Sequence, residues 1–188
     1  MSPARITQRQ ARRSFLCWLC AALPLLIGVP RSQAATEAEV KAAFLYNFAK
    51  FVEWPTNAFT SDAAPLRVAV FGDDDFTAKL AALLSDKKAH GRAFEVKRIT
   101  NPQDAKNFHI VFVTGAESKR AILVLDAVKK SPVLTVGESE DFLDYGGIIM
   151  LYFEDAQPRF DINPEAAEKV KLIISSKLLR LGKKKGAK

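Results

Sequence analysis

Beyond residue 34 the sequence has no cysteine: Cys17 and Cys20 are the only two, and both lie in the N-terminal segment. The rest of the chain therefore has no thiolate nucleophile, no disulfide and no cysteine-ligated metal, whatever compartment it occupies. Histidine is almost as scarce. His90 sits in the polar stretch Lys88–Arg92 and His109 inside FHIVFV, and neither has a second histidine at ligand spacing. That argues against a metal centre or a histidine-based triad. No serine lies in G-x-S-x-G, there is no P-loop, and Gly72 stands without a surrounding G-x-G-x-x-G. Hydrolase, nucleotide-phosphate and dinucleotide chemistry all lose their usual signatures.

A basic body is missing too. The formal charge is +7 over 188 residues, which suggests nucleic acid until the charges are placed. Arg5, Arg9, Arg12, Arg13 and Arg31 precede residue 35 with no acid among them, and Lys183, Lys184, Lys185 and Lys188 close the chain. Between 35 and 181, acidic and basic groups nearly balance, with acids slightly in excess. No nucleic-acid partner is expected.

Residues 1–34 have the order of a secretory signal peptide: an arginine-rich start, the apolar run Phe15–Val29, and a small-residue site at Ser32-Gln33-Ala34. The run is short for a spanning helix, which needs about 20 apolar residues. A cleaved signal and a periplasmic location are expected. Arg12-Arg13-Ser14-Phe15-Leu16 matches the core of a twin-arginine signal, so both export routes remain open.

From residue 35 onward the sequence alternates helix and strand. Thr36–Glu53 reads as a helix with Thr36 as cap, Glu39 completing a capping box, and Glu37 and Lys41 as an i,i+4 pair. Trp54-Pro55 stops it. Leu66–Phe71, Phe94–Ile99, Phe108–Val113 and Val133–Val136 read as strands, and Phe76–Leu84 and Ser118–Lys129 as helices. Gly147–Phe153 and Arg159–Ile162 read as a hairpin, Pro164–Val170 and Ser175–Leu181 as closing helices. The expected fold class is α/β: a single three-layer domain over 35–181, with a mainly parallel sheet, helices on both faces and a C-terminal antiparallel hairpin. Residues 182–188 are expected to be a disordered basic tail.

Two features remain to be explained. Asp73-Asp74-Asp75 follows the first strand and precedes a helix, which suits either an N-terminal cap or a cation site. A phospho-receiver would also need an acid ending a later strand, but the third strand ends in Val113-Thr114-Gly115. If the chain is a small-molecule sensor, its ligand is expected at the carboxyl ends of the parallel strands, on Asp73, Asp74, Thr114 and Gly115. Second, Phe44, Tyr46, Phe48, Phe51 and Trp54 spread around the first helix, where an amphipathic helix needs only one apolar face. Some of these aromatics are read as left over for a partner. The alternative is a helix buried on two sides.

The string Val40–Pro55 (VKAAFLYNFAKFVEWP) resembles the opening of YfiR-like proteins. VAVFGDD at Val68–Asp74, PVLTVGE at Pro132–Glu138, GGII at Gly146–Ile149 and ISSKLLRL at Ile174–Leu181 are similar to later stretches of that family, in the same order. The resemblance implies a small periplasmic α/β protein with no catalytic centre and no cofactor. It also implies a role: binding the periplasmic part of an inner-membrane diguanylate cyclase and holding it inactive. Cyclic di-GMP, and biofilm formation with it, would then stay low. Release would involve an outer-membrane lipoprotein, and a homodimer is a further option. Disulfide-gated regulation does not carry over to a chain without cysteine past residue 34. The residues read as partner-binding are Tyr46, Phe48, Phe51, Trp54, Leu178, Leu179 and Arg180, chosen for their chemistry.

Overall fold

The computed structural model describes residues 35–184. The expected signal peptide and the last four residues of the expected tail lie outside the described residues. No described helix is long and apolar enough to cross a membrane.

Helix α1 spans Glu37–Phe51. Its capping box forms as the spacing predicts: Glu39 N–H donates to Thr36 Oγ1, and Thr36 N–H donates to Glu39 Oε2 at 2.7 Å. The helix ends earlier than expected, because Val52–Glu53 turns into strand β1. The central strands are β2 (Leu66–Phe71), β4 (Arg92–Ile99), β5 (Ile110–Val113) and β6 (Leu134–Gly137). Helix α2 (Asp74–Leu84) follows β2, and a two-residue β3 (Lys88–Ala89) leads into β4. His90 and Gly91, with φ of 51° and 77°, link β3 to β4. Positive φ at both loop positions is what a tight two-residue hairpin requires. Helix α3 (Ala121–Val128) follows β5 after a 3-10 turn. β7 (Ile149–Glu154) and β8 (Gln157–Ile162) form the expected hairpin, with Asp155 and Ala156 at its tip. α4 (Pro164–Lys169), β9 (Ile173–Ile174), α5 (Ser176–Leu181) and β10 (Lys183–Lys184) complete the chain.

The main sheet runs β10-β8-β7-β6-β5-β2-β4-β3. β4, β2, β5, β6 and β7 are mutually parallel, and β8 returns antiparallel to β7. Two apolar clusters flank it. On one face α1, α2, α4 and α5 cover Val68, Val70, Ile110, Phe112, Leu134 and Val136. On the other, α3 covers Ala69, Phe71, Val111 and Val113. This is the expected three-layer α/β architecture, and strands buried on both faces explain the nearly continuous apolar runs VAVF and IVFV.

Two local readings are corrected. The chain past residue 181 is not wholly tail, because β10 pairs parallel to β8, Lys183 opposite Asp161. Gly182 permits this: a Cβ there would lie 2.6 Å from Cε2 of Phe160. A second, two-stranded sheet was not expected at all. β1 pairs antiparallel with β9, Val52 opposite Ile174 and Glu53 opposite Ile173. Two-residue strands carry too little pattern to be read from sequence.

Candidate functional site

The strand order places β2 between β4 and β5, with α2 leaving on one face and α3 on the other. The carboxyl ends of β2 and β5 are thus a topological switch point, the usual crevice for ligands in open α/β sheets. A crevice of about 320 Å³ lies beside it, lined among others by Lys41, Asp73, Asp75, Lys79, Thr114 and Glu138. The structure therefore brings Asp73, Thr114 and the adjoining Gly115 together, as the sequence suggested.

Each of these groups already has an internal partner. Asp73 caps α2, its Oδ1 accepting from Phe76 N–H at 2.9 Å. Asp74 points away, to Arg98 at 3.2 Å. The Thr114 hydroxyl donates to Phe71 O at 3.4 Å, and Gly115 N–H donates to Glu138 Oε2 at 2.7 Å. The acidic run is thus a helix cap plus a surface ion pair. Among the described residues no cluster of histidines and acids could hold a metal ion.

The residue that organises the crevice is Lys41, which sequence reading paired only with Glu37. Its ammonium lies 2.6 Å from Glu37 and 2.5 Å from Glu138. Burial works against this charge, but hydrogen bonds to Glu138 and Glu37, and their negative charges, outweigh it and hold Lys41 above its ordinary value. Its contribution is therefore intact at neutral pH and is lost only as pH rises through that elevated value. The bridge ties α1 to the end of β6, and Glu138 passes it on to Gly115 after β5. Lys41→Met should lower stability by about 1–3 kcal/mol, the range for a hydrogen bond to a charged group whose partner is left behind. Urea denaturation measures it. Glu138 belongs to PVLTVGE, but nothing local in that string announces a partner on α1.

The aromatic end of α1 is largely internal. Phe48 is fully buried, 5.2 Å from the ring of Phe160, and Leu178 is 2% exposed. Neither presents a surface to a partner, which corrects their assignment as contact residues. Phe48 of α1 and Leu178 of α5 face inward together, in the apolar cluster between these helices and the sheet. Tyr46 is half-buried against Phe94 at 6.0 Å, with Lys50 over its ring. Phe51, half-buried, carries Lys177 of α5 over its ring at 5.3 Å. Leu179 is half-buried and Arg180 exposed. Two strongly exposed apolar side chains, Ile173 of β9 at 64% and Leu181 at the end of α5 at 68%, are ones that sequence reading passed over. Ile173 escaped notice because β9 is two residues long, and Leu181 because it closes a helix.

Trp54 leads into a stack. Its indole N–H donates to His109 O at 3.2 Å, and its ring meets the imidazole edge-on. Phe59 stacks on His109 at 4.4 Å, and the Arg92 guanidinium covers Phe59 at 3.8 Å. Arg92 Nη1 also donates to the carbonyls of Ser61, Asp62 and Ala64, each at 2.8 Å. His109 Nδ1 accepts from Arg67 N–H at 2.9 Å, so Nε2 carries the proton and donates to Ala58 O at 3.0 Å. Four side chains thereby clamp the loop from α1 to β2. His90, exposed in the turn between β3 and β4, puts Nε2 3.0 Å from the carbonyls of both Ala49 and Val52, at the open end of α1.

The YfiR/HmsC-like family profile matches residues 38–183. No curated protein matches the chain. Among solved structures, a conserved domain protein from Vibrio cholerae O1 biovar eltor str. n16961 superposes with a TM-score of 0.56 at 11% identity, covering 79% of this chain and 60% of that one. That likeness concerns the fold. The ABC domain in complex with L-Trp from Streptococcus pneumonia gives a TM-score of 0.46 at 10% identity, over 74% of this chain and 59% of that one. The chain thus spans about three fifths of the length of these structural neighbours.

Proposed function

We propose, from the premise that this chain belongs to the YfiR/HmsC-like family, that it is a periplasmic repressor of an inner-membrane diguanylate cyclase, acting on the cyclase's periplasmic domain. The observation that carries this is the family match over nearly the whole described domain. In support, Asp73, Lys41 and Glu138 at the switch point are engaged in a helix cap and in bridges within the fold, an arrangement suited to binding. Repression asks only that the inactive cyclase be bound more tightly than the active one. A preference of about 3 kcal/mol shifts the two populations by more than a hundredfold.

The contact surface we assign lies at the end of α1 and α5: Ile173, Leu181, Leu179, Phe51 and Arg180. Apolar side chains beside an arginine are typical of interface centres. Deleting the chain in its own cell should raise cyclic di-GMP, and restoring residues 1–188 should lower it, whereas a version starting at Ala35 and kept in the cytoplasm should not. Unchanged cyclic di-GMP on deletion would sink the reading. The double variant Ile173→Asp with Leu181→Asp should keep its thermal midpoint, because both side chains are exposed, yet fail to repress.

A second reading, a small-molecule sensor, has the crevice at Lys41, Lys79 and Thr114 in its favour. A thermal-shift screen in which no compound raises the midpoint removes it.

A further inference from the structure

We propose that residues 169–188 dock the chain on an anionic phospholipid surface. This stretch holds seven lysines, one arginine and no acid. All 21 aspartates and glutamates precede it, and residues 35–168 carry more acids than bases. Charge is thus polarised along the chain, with the cations gathered from the end of α4 onward, through β9, α5 and β10. β9 packs against α4, and β10 against α5. The run is more than a loose tail, because β10 fixes Lys183 opposite Asp161 in the main sheet.

Lys169, Lys171, Lys177 and Lys183 are exposed. Among the described residues none of the four has an ion-pair partner, whereas Lys41, Lys87, Lys97 and Lys129 earlier in the chain each have one. Like charges left unneutralised repel one another and draw anions to them. Their chemistry selects the anion. A discrete carboxylate or phosphate site favours the planar fork of arginine, which makes two parallel hydrogen bonds. Lysine carries a compact, strongly hydrated charge on a flexible stem, and suits a diffuse layer of charge. Anionic headgroups attract polybasic runs in this way, each cation adding about fivefold in affinity. The same layer repels the acids of 35–168, so the chain meets it by its closing elements. Lysines also flank Ile173 and Leu181 along the sequence, the pair assigned above to the cyclase, and that partner lies in the membrane. Confinement to the headgroup layer then raises the effective concentration of the chain at its partner. This consequence rests on the repression reading; the lipid contact does not.

Vesicle co-sedimentation of the chain from Ala35 tests it. The chain should bind vesicles of phosphatidylcholine with about one third phosphatidylglycerol, should ignore pure phosphatidylcholine, and should be released as salt is raised. Lys169→Gln, Lys171→Gln, Lys183→Gln and Lys185→Gln together should weaken binding about a hundredfold or more. Lys→Arg changes at the same four positions should keep it. A control carrying Lys88→Gln, Lys106→Gln, Lys119→Gln and Lys130→Gln should bind as the wild type does, because charges away from the contact are screened. Unchanged far-ultraviolet circular dichroism and thermal midpoint serve as the folding control. Absence of binding to the anionic vesicles at low salt overturns the proposal. So does an equal loss in both glutamine variants, or tighter binding to soluble polyglutamate than to the vesicles, which would assign the run to an acidic protein. The vesicles contain no cyclase, so this test and the cyclic di-GMP measurement fail independently.

Discussion

Phe142→Ala should destabilise the domain by about 3–5 kcal/mol, the range for emptying a fully buried phenylalanine site. Phe142 has no exposed surface, and its ring is gripped between two glycines. A Cβ on Gly137 would lie 2.3 Å from Cδ2 of the ring, and one on Gly147 would lie 2.3 Å from Cδ1. Neither glycine is needed for its backbone angles; each is there because the ring lies flat against the main chain. Gly137→Ala should therefore cost about 1–3 kcal/mol by overpacking. The coupling is the sharper test. In a Phe142→Ala background the new methyl at 137 enters vacant space, so the double variant should be clearly more stable than the sum of the singles implies. Strict additivity in guanidinium titrations would show that the ring does not hold this place.

His109→Ala is the second large effect, and it carries a pH signature. Truncation leaves Arg67 N–H and Ala58 C=O without their imidazole partner, each at about 1–3 kcal/mol, and removes the surface on which Phe59 stacks. Burial pushes the imidazole below its ordinary value. The Ala58 carbonyl works in the opposite direction, while the charges of Arg67 and Arg92 lower it further. The folded chain thus resists a proton that the unfolded chain accepts. The stabilisation is complete above the ordinary value of 6.5 and declines as pH falls from there towards the lowered one. Denaturation midpoints measured from neutral to mildly acid pH should fall more steeply for wild type than for His109→Ala. Parallel curves would place the acid sensitivity elsewhere.

Much of the fold was legible because its signals are local. The capping box at Thr36 and Glu39, the apolar runs of β2 and β5, and the cap at Asp73 all declare themselves within a few residues. The unread parts depend on partners distant in sequence. Lys41 looks like half of an i,i+4 pair until β6 brings Glu138 beside it. Phe48 and Phe51 look alike on α1, yet Phe48 is buried against Phe160 while Phe51 stays partly open under Lys177. His109 reads as an inert strand histidine because the loop stacked on it is irregular. Of the acidic run and the aromatic helix, the two features that invited a site, the first proved to be capping and ion pairing and the second mostly core.

The β1–β9 clasp has a bearing on how the molecule comes into being. Ser175 N–H reaches Phe51 O at 2.8 Å, joining the first helix to the last one across most of the chain. Contacts of such long sequence separation form late, because their ends must first be brought together against chain entropy. The α1 layer is therefore not locked until the final residues have been made, although β2, β4 and β5 can pair earlier. A nascent chain stalled short of residue 173 would hold its first helix loosely, with Phe51 and Val52 uncovered. In that interval, rather than in the finished protein, the chain is most open to proteases and chaperones.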